Sequence, residues 1–213
     1  MATMTGLVGG RLRREPGRPF VTYYDDHTGE RTELSATTWS NWVAKTAGVL
    51  IEDLDLAEGD RLRIDLPPHW LSSVFLGAAW LAGIEVVRSG AANATVGSSD
   101  ADLICSLHPF ALPCPAPVPT LDFGHLWPNQ PDVFLGVPAA PTALAYDGTT
   151  LADLIPGPVH KRILTTLDPA SPEGARLLLG ALAGTGSMVL VANEDSTRRA
   201  ARMVSEHIDE TVD

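Results

Sequence analysis

Lysine is nearly absent from this chain: of 15 basic residues only Lys45 and Lys161 are lysines, and the rest are arginines. Chemistry that requires a lysine therefore has two candidates. Cysteine is as scarce. Cys105 and Cys114 alone exclude a disulfide framework and make a reducing cytoplasm the expected location. No run of about 18 uncharged apolar residues occurs, and the N-terminus has no apolar signal core, so no membrane insertion is expected. Cations are outnumbered, 15 Lys and Arg against 26 Asp and Glu, for a net charge of -11. Nucleic acid and anionic membranes need a basic face and are not expected as partners. Walker, G-x-S-x-G and H-E-x-x-H patterns are all missing.

What is present is globular. The 213 residues are 45% hydrophobic and 19% charged, enough for a core without staples. Residues 1–19, with Arg11, Arg13, Arg14 and Arg18, read as a basic lead-in holding a short helix. Phe20–Tyr24 and Arg31–Leu34 read as a hairpin around the turn at Asp26–Glu30. Ser35 caps a helix from Ala36 to about Leu54, with Trp39, Trp42, Val43 and Ala47 on a core-facing stripe. Arg61–Leu66 alternates and reads as a strand with one buried face. His69–Ala82 is apolar almost all round, so it is a helix buried on most sides. It runs into a strand at Ile84–Val87, completing a βαβ unit that implies a parallel sheet. Further strands are expected at Ala101–Ser106, Leu144–Tyr146, Ile163–Leu167 and Ser187–Ala192. A helix opens at Pro172 and ends near Ala183. Another spans Thr197–Ile208 with Ala200, Ala201, Val204 and Ile208 inward. Residues 109–141 hold nine of the 17 prolines and read as a long loop with a short strand near Thr120–Phe123. The expected class is α/β, a three-layer α/β/α domain over 20–213 with one mostly parallel sheet.

The order of residues resembles the N-terminal region of adenylate-forming enzymes, the acyl-CoA synthetases, adenylation domains and luciferases. The likeness opens at Tyr23-Tyr24-Asp25-Asp26 and Gly29–Ser35 and continues through Trp39 to Leu50. It is best at Gly59-Asp60-Arg61 with Leu62–Leu66 and Pro67, where the family reads "GDRV", an apolar strand, then proline. Leu76–Val87 is similar to the family's helix and strand ending "AGAVVVPL", and Leu178–Glu206 to its "LLAGGTVVLV" segment. The chain is similar also to a short, uncharacterised actinobacterial family with the same likeness, which the arginine-rich composition suits. The resemblance implies a nucleotide-binding loop of the form S-G-T-T-G-x-P-K-G, whose N–H groups and lysine hold ATP phosphates. Here that place reads Asp147-Gly148-Thr149-Thr150-Leu151. The glycine after the threonines is Leu151, Pro-Lys-Gly is missing, and Asp147 puts a carboxylate where phosphates need a cation. The family's adenine-binding strand, ribose-contacting acid and hinged C-terminal domain with its lysine are also missing.

Asp147, Gly148, Thr149 and Thr150 thus stand as a nucleotide-binding remnant, with a plain strand-to-helix turn as the ordinary alternative. Arg61, Arg63 and Asp65 form a charged face on a strand. That face is either solvated and ion-paired or a site for an anionic ligand or acidic partner. Cys105, His108, Cys114 and His125 could ligate zinc only across a proline-rich gap, so no metal is expected, and no cofactor. Gly184-Thr185-Gly186 follows a helix and is a helix stop, not a dinucleotide fingerprint. The expected function is a non-catalytic relative of adenylate-forming enzymes that binds a protein partner, a second copy, or a nucleotide- or acyl-like small molecule. The alternatives are an acyl- or aminoacyl-activating fragment completed by another chain and a purely structural homo-oligomer subunit.

Overall fold

The structure is a computed structural model and describes residues 2–213. Along the chain come α1 (Met4–Arg14), β1 (Pro19–Asp25), β2 (Glu30–Ser35), α2 (Ala36–Gly48), β3 (Arg61–Asp65), α3 (Trp70–Ala82), β4 (Glu85–Val86), β5 (Ala94–Gly97), β6 (Leu103–Ile104) and β7 (Leu121–Asp122). The second half holds α4 (Phe123–Leu126), β8 (Leu144–Tyr146), β9 (Thr149–Thr150), α5 (Leu151–Leu154), β10 (Arg162–Thr165), α6 (Pro172–Ala183), β11 (Ser187–Ala192), α7 (Ser196–Ser205) and β12 (Glu210–Val212).

Local chemistry sets the boundaries. Ser35 Oγ accepts from the Thr38 N–H at 3.1 Å and starts α2, satisfying one of the donors a helix start leaves free. The α2 helix ends at Gly48 and passes into a π-helical turn at Val49–Asp53 instead of continuing to Leu54. Gly83, at φ 77°, stops α3 in the left-handed conformation that glycine tolerates. Ser171 caps α6. Its C-terminal carbonyls are held by the lead-in: Arg14 donates to Ala183 and Gly184 at 3.1 Å, and buried Arg11 reaches Gly184 at 3.4 Å. Two cations at the negative end of a helix are favourable placements.

The strands form two sheets where one was expected. The first has the order β12-β10-β11-β1-β2 and the second β7-β6-β5-β3-β4-β8-β9. Pairing is parallel except at β1–β2 and β8–β9. The βαβ unit is β3–α3–β4, with Leu62 beside Val86. The expected strand at Ala101–Ser106 shrinks to β6, and β5 and β12 were not anticipated. The α3 helix explains the second sheet. Every one of its residues is buried, and an all-apolar helix needs cover on more than one side. It touches β1 of the first sheet and β3 and β4 of the second, with α2 and α6 beside it. The fold is α/β with mostly parallel sheets flanked by helices. The first sheet carries α7 on its other face, where Met203 and Ile208 pack on Leu164, Val189 and Val191.

Of the four residues expected inward around α7 only Ile208 packs on the sheet; the other three face solvent. Ala200 and Ala201 are exposed and Val204 is 76% exposed, while Arg202 is buried and Ile208 half-buried. The outer face of β1 and β2 is charged, so the helix turns Arg202 inward. Arg202 donates to Asp26 and stacks 4.5 Å over the Tyr24 ring, and Glu206 accepts from Tyr24, Arg31 and Arg162. Ion pairs outweigh three small apolar contacts here because a buried charge left unpaired is far more costly.

Close packing of α2 on α3 depends on Gly77, where a Cβ would stand 2.7 Å from Val43 and 2.9 Å from Trp39. Gly77→Ala gains about 1 kcal/mol of helix propensity but overpacks a site where such strain costs about 1–3 kcal/mol. A net loss is expected, read as a melting temperature lower by a few degrees; an unchanged or raised value would show that the helices move apart freely.

His69 caps α3, its Nδ1 accepting from the Leu71 N–H at 3.3 Å. Burial pushes its pKa down to about 4, against smaller opposing effects of Asp25 and the Leu107 backbone. The unfolded histidine titrates near 6.5, so between about pH 4 and 6.5 the unfolded chain binds the extra proton. Stability contributed by the neutral ring is complete above about 6.5 and is lost as pH falls through that window, by about 3 kcal/mol at most. His69→Asn keeps a capping side chain without the titration. Urea unfolding at pH 7 and pH 5 should show a smaller stability difference between the two pH values in the variant; an equal difference would place the acid sensitivity elsewhere.

Candidate ligand-binding site

The residues singled out in the sequence converge where β3, β4 and β8 lie side by side in the second sheet. Asp147 and Gly148 make the two-residue turn of the β8–β9 hairpin, at φ 40° and 79°. Two successive positive φ values suit a tight hairpin, and Asp-Gly adopts them readily. Thr149 and Thr150 form β9. Thr150 then caps α5, its Oγ1 accepting from the Asp153 N–H at 3.3 Å and donating to the Asp153 carboxylate at 2.7 Å. Leu151 begins α5 as a core residue.

Asp147 and Gly148 have polar partners within the chain. The Gly148 N–H donates to Glu85 Oε1 at 2.6 Å. The Asp147 N–H donates to the Val86 carbonyl at 3.0 Å, and the Asp147 carboxylate accepts from the Arg88 N–H at 3.1 Å. Arg88 in turn donates to Asp168 at 3.3 Å and to the Ala170 carbonyl at 3.1 Å. The Tyr146 hydroxyl donates to the same carbonyl at 2.5 Å, and burial pushes its pKa up. This ties the loop after β10 of the first sheet to the edge of the second.

One member of the charged face of β3, Arg61, joins the same network. β3 lies between β5 and β4, so it is an internal strand. Leu62 and Ile64 face the core; Arg61 and Arg63 are half-buried and Asp65 is exposed on the other face. Arg61 Nε lies 3.4 Å from Glu85 Oε2, and Arg63 donates to the Gly90 carbonyl. Glu85 is 7% exposed and links the two candidate groups, which the sequence left apart. Glu85 and Arg88 were missed. Their one signal was a carboxylate inside the apolar run Ile84–Val87 and a cation directly after it.

The remaining candidates lie apart from this network. Lys45 is held by Gln130 and Asp132, and Lys161 by Glu210. Cys114 and His125 meet at Asp122, with Sγ 3.9 Å and Nε2 3.6 Å from its carboxylate, whereas His108 stacks near Phe110. Burial raises the pKa of both thiols, and among the described residues no group of three or more His, Cys, Asp or Glu could hold a metal ion. Gly184 ends α6 under Arg11 and Arg14. A cleft of about 440 Å³ opens instead at the start of β10 and β11. Arg162 on its wall is spent on Glu206, Ser187 and Thr22. Among the described residues no helix is long and apolar enough to cross a membrane.

Removing Glu85 would leave the Gly148 N–H without its acceptor and Arg61 without its ion-pair partner. Glu85→Ala should cost about 1–3 kcal/mol, measured as a lower urea midpoint at unchanged slope. Glu85→Gln, which retains an oxygen for Gly148, should lose less. Equal stability of all three chains would show that the carboxylate holds nothing.

No family model matches the chain. A TIGR03089 family protein of Mycobacterium tuberculosis (strain ATCC 25618 / H37Rv) is 32% identical over 247 residues, covering 98% of this chain and 98% of that protein. Among solved structures, the inhibitor-bound N-terminal domain of FACL13 from Mycobacterium tuberculosis matches 99% of the chain with a TM-score of 0.74 at 14% identity. The O-succinylbenzoate coenzyme A synthetase MenE from Bacillus subtilis, in complex with ATP and magnesium, matches 96% with a TM-score of 0.72 at 13% identity. A Mycobacterium tuberculosis fatty acyl CoA synthetase matches 98% with a TM-score of 0.69 at 13% identity. At these identities the likeness is one of fold. The chain spans 62%, 62% and 48% of the lengths of these three structures.

Proposed function

This chain belongs to the TIGR03089 family, and we propose that it is a non-catalytic binding or interaction module built on the fold of the acyl-CoA synthetase N-terminal domain. One observation carries the reading: the Gly148 N–H is taken by the Glu85 carboxylate. Phosphoryl and nucleotidyl transfer is mostly positioning and charge stabilisation, so the protein must bring N–H donors and cations to the phosphates. Loss of one preorganised donor costs about a hundred- to thousandfold in rate. Here a buried carboxylate occupies the donor, Asp147 adds a second negative charge, and both lysines are held elsewhere. Two free thiols suit a reducing cytoplasm. The proposed partners are a protein, a second copy, or a small nucleotide- or acyl-like ligand.

The test is carboxylate-dependent ATP–pyrophosphate exchange with fatty, aryl and amino acids. No exchange above background is expected from the purified chain. Clear exchange that Asp147→Ala or Thr149→Ala abolishes would overturn the reading. Thermal shift with ATP, AMP, CoA and acyl-CoA then sorts ligands, since a ligand at a hundred times its Kd stabilises by about 2.7 kcal/mol.

A further inference from the structure

The cleft of about 440 Å³ at the start of β10 and β11 is built by four segments distant in sequence. Arg11 and Arg18 come from the lead-in, His160 from the residues before β10, Thr185 from the turn into β11 and His207 from the end of α7. It lies at the edge of the first sheet, apart from the Asp147–Gly148 turn of the second. Its volume is in the range of small-molecule sites, but its walls are polar. Pro19 is the one apolar residue that lines it, so an acyl chain or a nucleobase would find nothing to lie on.

The acids of the cleft are engaged within the chain. Glu33 accepts from Arg31 at 2.6 Å, Asp209 from the Arg162 N–H at 2.7 Å, and Glu206 from Tyr24, Arg31 and Arg162. The donors are not all spent. Buried Arg11 uses Nη1 on the Gly184 carbonyl and on Glu15, and its Nε has no partner among the described residues. A buried donor without an acceptor is costly, and an oxyanion would supply the acceptor. His160 Nδ1 accepts from the Thr185 N–H at 3.3 Å. A backbone N–H can only donate, so the neutral ring carries its proton on Nε2, which is then a donor. Arg18 meets Glu15 through Nη1 at 2.6 Å, and its side chain is 70% exposed. His207 is exposed. Two guanidiniums and two imidazoles thus line one cleft with donors to spare.

The number of donors selects the anion. A carboxylate brings two oxygens and one charge, whereas a phosphomonoester brings three terminal oxygens and nearly two charges near pH 7. Guanidinium forks match phosphoryl oxygens. The cleft has room for more than one phosphate ion, and ionised Glu33 and Asp209 have lone pairs beyond the bonds above that suit hydroxyl groups. We propose that this cleft binds a small phosphomonoester with a hydroxylated body, of the sugar-phosphate class. The site is separate from the Asp147–Gly148 turn, and its ligand does not depend on whether the chain exchanges pyrophosphate.

The experiment is isothermal titration calorimetry of the full chain with glucose 6-phosphate, ribose 5-phosphate, glycerol 3-phosphate, inorganic phosphate, citrate and glucose. At least one of the three esters should bind more tightly than inorganic phosphate or citrate, and glucose should not bind. His160→Ala and Arg18→Ala, both at exposed side chains, should each weaken that ester about tenfold or more at unchanged melting temperature. Arg11→Lys keeps a cation beside Gly184 and Glu15 but has no Nε–H, and should weaken it similarly. Binding of none of the esters would overturn the proposal. Inorganic phosphate as tight as the best ester would remove the hydroxylated body, and citrate tighter than all would remove the phosphoryl group; either overturns it. An ester that binds equally well to His160→Ala and Arg18→Ala would lie outside this cleft and overturn it too.

Discussion

Complete burial of α3 is the constraint on which the layer order depends. A helix that carries Trp70, Phe75, Leu76 and Trp80 with no polar side cannot lie on one sheet with its back to water. Two sheets, α2 and α6 enclose it. Gly77 lets α2 approach to side-chain contact, and the Trp39 indole N–H, donating to Ser73 at 3.2 Å, satisfies a donor that such packing removes from water.

Arginine does inside this protein what a surface reading would not assign to it. Arg11 and Arg14 close the end of α6, Arg162 and Arg31 gather on Glu206, and Arg202 pairs with Asp26 under α7. A planar guanidinium offers five donors in a fixed fork, against the three of a lysine's ammonium, and so can hold a carboxylate and still reach carbonyls. The anionic excess of the sequence is therefore partly internal. Part of it sits on the outer face of the first sheet, where it decides how α7 lies.

The same economy governs the candidate site. Glu85, Arg61, Arg88 and Asp168 form a closed set around the Asp147–Gly148 turn, so the hairpin joins the edges of two sheets. The Asp147 and Gly148 N–H groups at this turn are both bonded within the chain. Departures from the family pattern at Asp147 and Leu151, visible in the sequence, and the Glu85 contact, visible only in space, support the same functional reading.

The sequence by itself determined the pieces with a local cause: the cap at Ser35, the stop at Gly83, the one-sided strand at Arg61–Leu66 and the βαβ unit around α3. Each rests on side chains a few residues apart, where period and capping chemistry act directly. The likeness to adenylate-forming enzymes was legible for the same reason, through motifs of contiguous residues. Only the tertiary structure decided that the strands divide into two sheets, that α7 turns Arg202 inward and Val204 outward, and that Glu85 meets Gly148. Glu85 and Gly148 are 63 residues apart, and Arg202 and Asp26 are 176 apart. Nothing in the periodicity of one segment names the charge that another will bring to it. For a helix with small apolar residues on one side and arginines on the other, the partner's charge outweighs the helix's own pattern.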